Sequence, residues 1–135
     1  MARCDALMVN GLEDALSRGE AYLEAGADIL FFEMRESMEE IVTMANQFRG
    51  RIHLHFNHSA SGMVSMLHAD KVAKLGFKTL SYPLYPIMAV CKTVREVMTE
   101  IKRTGNATSI QDRMVKFSEF WEIAELSKLR GMEER

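Results

Sequence analysis

The sequence predicts an α/β fold with a parallel sheet of about four strands, which is either half of a (β/α)8 barrel or a small open sheet. A sequence pattern made of a helix end, a glycine and a short apolar strand occurs three times, with the glycines at positions 26, 50 and 76. Strands and helices alternate with short connections, which favours parallel pairing through right-handed crossovers. A complete barrel needs roughly 250 residues, whereas the 135 residues here carry three full strands and a stub.

The predicted strands are short and mostly apolar, as expected for a parallel sheet covered by helices. The stub is residues 2–4, and the full strands are residues 28–32, 52–56 and 77–82. Each full strand closely follows one of these glycines. The glycine is expected to end the preceding helix, because it readily adopts the left-handed conformation found at helix ends. The βα units are therefore predicted to form residues 1–106, and a helical extension the remaining residues 107–135.

Capping residues predict where the first helices begin. Asn10 is expected to cap a helix that starts near Leu12. Ser37, followed by Glu40, has the form of a capping box. A short helix is expected over residues 69–75.

Two more helices are predicted in the C-terminal part. Pro86 can begin a long helix that ends at Lys102, shortly before Gly105. Ser109 and Asp112 are expected to cap one last helix. Its apolar stripe at helical spacing consists of Ile110, Met114, Phe117, Trp121 and Ala124.

The composition is that of an ordinary globular protein, with 47% hydrophobic residues and a net charge of −2, so no basic field attracts nucleic acid or acidic lipid. The first residues are too polar for a signal peptide, and no apolar stretch approaches the roughly 20 residues of a membrane span. Cys4 and Cys91 are too few for a disulfide framework. We expect a cytoplasmic protein with reduced thiols, in which Cys91 is buried.

Two charged residues stand where predicted strands end, at the edge of the sheet where barrel enzymes build their active sites. Arg3 ends the stub, and its guanidinium can bind a carboxylate or enolate oxygen at two points. The alternative is a salt bridge with Asp5. Glu33 is the first polar residue after an apolar strand, and it is either a site carboxylate or a partner of Arg35 or of the next helix.

Asn57 and Ser59 end the following strand, and their spacing places both side chains on one face. An amide and a hydroxyl can both donate to a substrate carboxylate, although the run 57–62 is also typical of a turn. His53 and His55 alternate on the same face. Because a His-x-His pair needs further ligands to hold a metal, hydrogen-bonded interior histidines are favoured over a metal site.

Three motifs in this order and spacing resemble one enzyme family. ARCDA at residues 2–6 is similar to A-R-T-D-A, the run at 24–33 is similar to E-A-G-A-D-x-x-F-x-E, and NHSASG at 57–62 corresponds to N-M-T-E-F-G. The strand end at 82–84 and the segment 105–114 extend the likeness. The sequence thus resembles the isocitrate lyase/phosphoenolpyruvate mutase family, which includes methylisocitrate lyase and carboxyvinyl-carboxyphosphonate phosphorylmutase.

The resemblance implies the C-terminal half of a TIM barrel. Intact relatives are Mg²⁺-dependent carbon–carbon lyases or phosphonomutases acting on 2-hydroxy or 2-keto carboxylic acids. Their aspartates for Mg²⁺ and, in the lyases, a loop with a catalytic cysteine belong to the other half and have no counterpart here. The resemblance assigns substrate positioning to Arg3, Glu33, Asn57 and Ser59. It also implies that the last helices pack on a neighbouring subunit.

The sequence departs from the family pattern beside the expected pocket. Cys4 replaces a threonine, Ala60 a glutamate, Met63 a lysine and Ser65 a proline. Because two charged groups are lost there, the substrate stays open.

Three hypotheses follow for the function. The first is a truncated or half-length family member that handles a small carboxylic acid but is inactive alone. The second is a non-catalytic half-barrel that assembles with itself or with a separate N-terminal half, because an open half-barrel leaves two sheet edges unpaired. The third is a histidine-based metal-binding module. Neither nucleic acid nor a membrane is an expected partner.

Overall fold

Four parallel strands lie side by side in chain order in the computed structural model, which describes residues 1–33, 37–60 and 66–133. The strands are β1 (Ala2–Cys4), β2 (Ile29–Phe32), β3 (His53–Asn57) and β4 (Phe77–Ser81). The stub and the three full strands predicted from the sequence are confirmed, within one residue at each end. The predicted α/β class is therefore confirmed as well.

Helices follow each strand of the sheet. They are α1 (Ala6–Val9), α2 (Leu12–Glu24), α3 (Met38–Phe48), α4 (Ala69–Lys74), α5 (Tyr85–Thr104), a 3₁₀ helix (Thr108–Arg113), α6 (Phe117–Ile123) and α7 (Leu126–Glu133). The predicted long helix from Pro86 and the short helix over 69–75 are confirmed to within two residues. No helix in the described ranges has the length and apolar character needed to cross a membrane.

The sheet has one apolar and one mixed face because side chains alternate along each strand. Residues of the apolar face are buried under the helices, among them Cys4, Phe32 and Phe56. The mixed face carries Arg3 on β1, which is in register with Phe31 on β2. The same row continues through His55 and Thr79.

The core lies between the apolar face and helices α2 and α3. Helix α3 contributes buried side chains at helical spacing, namely Ile41, Met44, Ala45 and Phe48. Its start is fixed by Ser37, whose hydroxyl accepts a hydrogen bond from the Glu40 main-chain N–H at 3.4 Å, in agreement with the predicted capping residue. Helix α2 is buried at Gly19, next to the rings of Phe32 and Phe48.

Two helix predictions are wrong. Asn10 does not cap α2, because residues 6–9 already form α1 and Asn10 ends it. The residue before α2 is Gly11, with a φ of 90°, and the Asn10 amide instead donates to Asp14 Oδ2 at 2.9 Å. The single last helix is also wrong, because the chain is extended at Met114 and Glu125 has a φ of 49° between α6 and α7.

The chain divides into two compact units, Met1–Ile87 and Met88–Arg135. The first unit contains the whole sheet. In the second, Arg113 Nη1 donates to Glu96 Oε2 at 3.0 Å, and Ser109 Oγ donates to Glu100. Cys91 is exposed, so the prediction that it is buried in its helix is wrong. Compactness alone does not define a domain, and the predicted division at residue 106 stays a prediction.

Candidate functional site at the carboxyl ends of the strands

Polar side chains meet at the carboxyl ends of all four strands. Arg3 lies near the end of β1, Glu33 directly follows β2, Asn57 ends β3 and Ser81 ends β4. Because the strands are parallel, these ends share one edge of the sheet, which is where barrel folds place their sites. The structure therefore brings together Arg3, Glu33 and Asn57, three of the four residues predicted from the sequence.

Arg3 is held by two carboxylates. Its Nη2 donates to Asp5 Oδ1 at 2.8 Å and also lies 3.0 Å from Glu33 Oε2. The guanidinium carbon stacks 4.9 Å from the centre of the Phe31 ring. The hydrogen bond that Arg3 donates to Asp5 raises the pKa of Arg3 and lowers the pKa of Asp5. The salt bridge to Asp5, one of the two alternatives predicted for Arg3, is therefore present, and the binding of a substrate carboxylate stays a prediction.

Glu33 connects the first and third strands of the site. Its main-chain N–H donates to the Cys4 carbonyl at 2.9 Å, so the residue extends the pairing of β1 and β2. Its Oε1 lies 3.5 Å from the Asn57 amide nitrogen. Its Oε2 is buried and accepts no well-aligned hydrogen bond from a described residue, although the ion pair with Arg3 compensates its charge. The alternative partner Arg35 lies outside the described residues.

A hydrogen-bonded chain continues from Asn57 across β4. Ser81 Oγ donates to Asn57 Oδ1 at 3.1 Å. His55 Nε2 lies 3.1 Å from the same Ser81 oxygen, and its Nδ1 lies 2.8 Å from Thr79 Oγ1. Burial lowers the pKa of His55. His55 is thus a hydrogen-bonded histidine, as favoured from the sequence, whereas His53 is exposed and the interior position predicted for it is wrong.

Ser81 and Thr79 were not predicted as site residues. Their only signal is that they alternate along the predicted strand at 77–82, which places both on one face. That face could not be assigned to the site without the register that pairs Asn57 with Ser81. Long-range strand pairing therefore supplies the missing information.

Ser59 lies outside β3, which ends at Asn57. The two-residue alternation that placed the two side chains on one face therefore does not reach Ser59, and that part of the prediction is corrected. The main-chain oxygen of Ser59 accepts a hydrogen bond from Tyr85 Oη at 3.2 Å. Its position is thus fixed through the start of α5.

The residues present do not by themselves fit a magnesium site. Mg²⁺ favours six oxygen ligands in octahedral geometry. Among residues 1–33, 37–60 and 66–133, no three His, Cys, Asp or Glu side chains are grouped so that they could hold a metal ion. The two carboxylates at the site, Asp5 and Glu33, are both occupied by the Arg3 guanidinium.

The arrangement is suited to binding an anion with a planar carboxylate. A guanidinium offers paired N–H donors that match the two carboxylate oxygens. A cleft of about 360 Å³ lies beside Arg3 and Asp5, and its further lining comes from α1 and α2, through residues such as Arg18 and Tyr22, and not from Glu33 or Asn57. Amide and hydroxyl groups on the neighbouring strand ends add further donors and acceptors.

Comparison with known sequences identifies the family. The sequence profile of phosphoenolpyruvate phosphomutase matches residues 1–102. The chain is 35% identical over 133 residues to 2,3-dimethylmalate lyase of Eubacterium barkeri, covering 98% of this chain and 45% of that protein. It is 32% identical to 2-methylisocitrate lyase of Aeropyrum pernix, covering 91% of this chain and 39% of that protein. The chain thus spans less than half the length of the curated relatives it matches.

Solved structures agree with the sequence comparison. Phosphonopyruvate hydrolase in complex with oxalate and Mg²⁺ superposes with a TM-score of 0.84 at 28% identity, covering 99% of this chain and 47% of that chain. 2,3-Dimethylmalate lyase gives a TM-score of 0.86 at 24% identity, covering 98% and 46%, which supports the fold alone. The four strands are therefore about half of a TIM barrel, as the sequence predicted. The chain belongs to the phosphoenolpyruvate mutase/isocitrate lyase family, and it corresponds to the C-terminal half of its members.

Proposed function

We propose that this chain is the substrate-holding half of an enzyme that acts on a small 2-hydroxy or 2-keto carboxylic acid, and that it is inactive alone. The observation that supports this most directly is the joining of Arg3, Glu33 and Asn57 across three adjacent strand ends. The relatives of this chain include lyases, mutases and hydrolases of carboxylic acids. We expect the cytoplasm as its compartment, in keeping with the free thiols of Cys4 and Cys91.

Each site residue has a defined role in this proposal. Arg3 binds a substrate carboxylate, while Glu33 fixes the direction of the guanidinium through its 3.0 Å ion pair. Asn57 and Ser59 supply neutral donors for the same or a second carboxylate oxygen. Arg3 is paired with both Asp5 and Glu33, so an entering carboxylate must displace one of these two partners from the guanidinium.

Catalysis needs groups that this half does not provide. Because the described residues do not form a magnesium site, the ligands of any such metal would have to come from the other half. Residues of this chain would then orient the carboxylate and exclude water, without contributing the metal site. Turnover therefore requires a second chain or segment.

Oxalate is the probe that tests this function, because it is a small dicarboxylate and is bound by the related phosphonopyruvate hydrolase. Isothermal titration with the 135-residue chain is expected to detect oxalate binding. Assays with 2,3-dimethylmalate and 2-methylisocitrate in the presence of Mg²⁺ are expected to show no turnover. Failure to bind oxalate would contradict the binding role, and strong turnover by the chain alone would contradict its dependence on a second half.

A non-catalytic assembly is the second candidate, and the open sheet supports it. Strands β1 and β4 are the outermost strands, so each has a pairing partner on one side only within the described sheet. Unpaired strand edges favour association. The partner is either a second copy of this chain or a separate N-terminal half. Light scattering over a range of protein concentrations distinguishes the two partners. Self-association gives a discrete dimer, whereas a chain that needs a separate N-terminal half stays a monomer until that half is added.

A further inference from the structure

His58 is a buried polar residue that directly follows the end of β3. Its side chain is only 5% exposed. The imidazole lies between aromatic rings, with centroid distances of 4.9 Å to Tyr82 and 5.5 Å to Tyr85. A polar ring at such a position is costly unless its nitrogen atoms are hydrogen-bonded.

Both ring nitrogens of His58 have partners. Nε2 lies 2.8 Å from the Leu67 carbonyl oxygen, and Nδ1 lies 3.0 Å from Tyr85 Oη. Because a carbonyl oxygen only accepts, Nε2 must carry the proton. In the neutral ring, Nδ1 then accepts from the Tyr85 hydroxyl.

The Tyr85 hydroxyl connects this histidine to the segment that follows Asn57. Its single proton is shared between His58 Nδ1 and the Ser59 carbonyl oxygen, which lies 3.2 Å away. The main-chain N–H of His58 donates to the Ser81 carbonyl at 2.8 Å, continuing the pairing with β4. The stretch 57–59 is thus fixed to Leu67, to α5 and to β4.

We propose that His58 and Tyr85 are positioning residues that hold Asn57 and Ser59 in place for a substrate carboxylate. This inference rests on the proposed binding role of Asn57 and Ser59. Neither His58 nor Tyr85 touches the substrate in this proposal. In the motif N-M-T-E-F-G, which the segment 57–62 resembles, methionine stands at the place of His58 and makes neither hydrogen bond.

Tyr85→Phe is the decisive variant, because it removes only the shared hydroxyl and keeps the ring. Tyr82→Phe is the matched control. Tyr82 also packs on His58, but its hydroxyl makes no hydrogen bond to a described residue. Both tyrosines are partly exposed, at 39% and 45%, so both variants are expected to fold.

The first readout is made on the free protein by nuclear magnetic resonance. We expect Tyr85→Phe to lower the order parameter of the Ser59 amide and to shift the Nδ1 resonance of His58, with Nε2 still protonated. Tyr82→Phe should change neither order nor protonation. If the order parameter of the Ser59 amide were unchanged in Tyr85→Phe, or if His58 carried its proton on Nδ1 alone, His58 and Tyr85 would not hold this segment in place. This conclusion would stand whether or not the chain binds oxalate.

The second readout is oxalate affinity, measured by titration calorimetry. We expect Tyr85→Phe to weaken oxalate binding about 3- to 10-fold, the range for loss of one hydrogen bond. The thermal midpoint should match that of Tyr82→Phe, which should bind as wild type does. Equal oxalate affinities for the two variants would overturn the positioning role of Tyr85. Absence of oxalate binding by wild type would overturn the proposed function, and the role of His58 and Tyr85 in holding Ser59 would then be decided by the first readout.

Discussion

Arg3 Nη2 lies 3.0 Å from Glu33 Oε2, so an ion pair joins the carboxyl ends of β1 and β2. The pair is part of the sheet's own register, because the Glu33 N–H also donates to the Cys4 carbonyl at 2.9 Å. A guanidinium held in this way is oriented before any ligand arrives. Such preorganisation reduces the entropy that binding costs.

Arg3→Gln is expected to weaken oxalate binding by about 10- to 100-fold, because it removes a charge-assisted two-point contact. Arg51→Gln is the matched control. Arg51 also pairs with a carboxylate, at 2.7 Å from Glu20, and its side chain is 47% exposed against 53% for Arg3. Titration calorimetry of both variants checks the prediction. Equal losses of affinity would mean that Arg3 acts only through general charge.

Gly19→Ala is expected to destabilise the fold by about 1–3 kcal/mol, because added volume forces a packed core apart. A Cβ at this position would lie 2.5 Å from Phe48 Cζ and 2.7 Å from Phe32 Cζ. Helix propensity alone predicts the opposite sign, since alanine is favoured over glycine by about 1 kcal/mol. The sign of the change in the free energy of unfolding, measured with urea, therefore decides between core packing and helix propensity. Ser17→Ala on the same helix is the control. A more stable Gly19→Ala protein would show that the two rings move aside easily.

The ion pair between Glu20 and Arg51 predicts how stability depends on pH. Hydrogen bonds from Arg51 and Gln47 lower the pKa of Glu20 from 4.5 to about 2. The lowered value means that the pair stabilises the folded chain fully above pH 4.5 and that this contribution is lost as the pH falls towards 2. The free energy of unfolding of wild type should therefore exceed that of Glu20→Gln at pH 7, and the difference should shrink over that window.

The control for this measurement is Glu24→Gln, an exposed glutamate at the end of the same helix. The change that Glu24→Gln causes between pH 7 and pH 3 is the background with which the effect of Glu20→Gln is compared. Because both partners of the ion pair are partly exposed, added salt should also reduce the effect of Glu20→Gln. A pH-independent difference for Glu20→Gln would contradict the assigned pKa.

Sequence reasoning found the parts of this molecule that local chemistry determines. The strands follow from glycine stops and apolar runs, and Arg3, Glu33 and Asn57 follow from being the first polar groups at strand ends. The same reasoning failed where geometry is decided by distant neighbours. Ser81 joined the site only because strand pairing places it beside Asn57.

The C-terminal helices show a second kind of limit. Their apolar residues keep helical spacing from Ile110 to Ala124, which predicted one helix. The backbone nevertheless leaves the helical region at Met114, and Glu125 adopts a φ of 49°. The spacing of apolar residues indicates which face of a helix is apolar, but it does not show the single residues at which the backbone leaves the helix. Breaks without glycine or proline are therefore missed.

His55 offers a direct test of the network on β3 and β4. Burial lowers its pKa below the ordinary value of 6.5, and the ring lies 2.8 Å from Thr79 Oγ1. The unfolded chain therefore binds the proton more readily, and the stability linked to a neutral His55 is lost as the pH falls below 6.5. A nuclear magnetic resonance titration of the folded protein is expected to show His55 titrating below its value in the urea-unfolded chain. Thr79→Val should leave this direction unchanged, because burial and not the hydroxyl is its cause, whereas a folded value at or above 6.5 would mean that water reaches the ring.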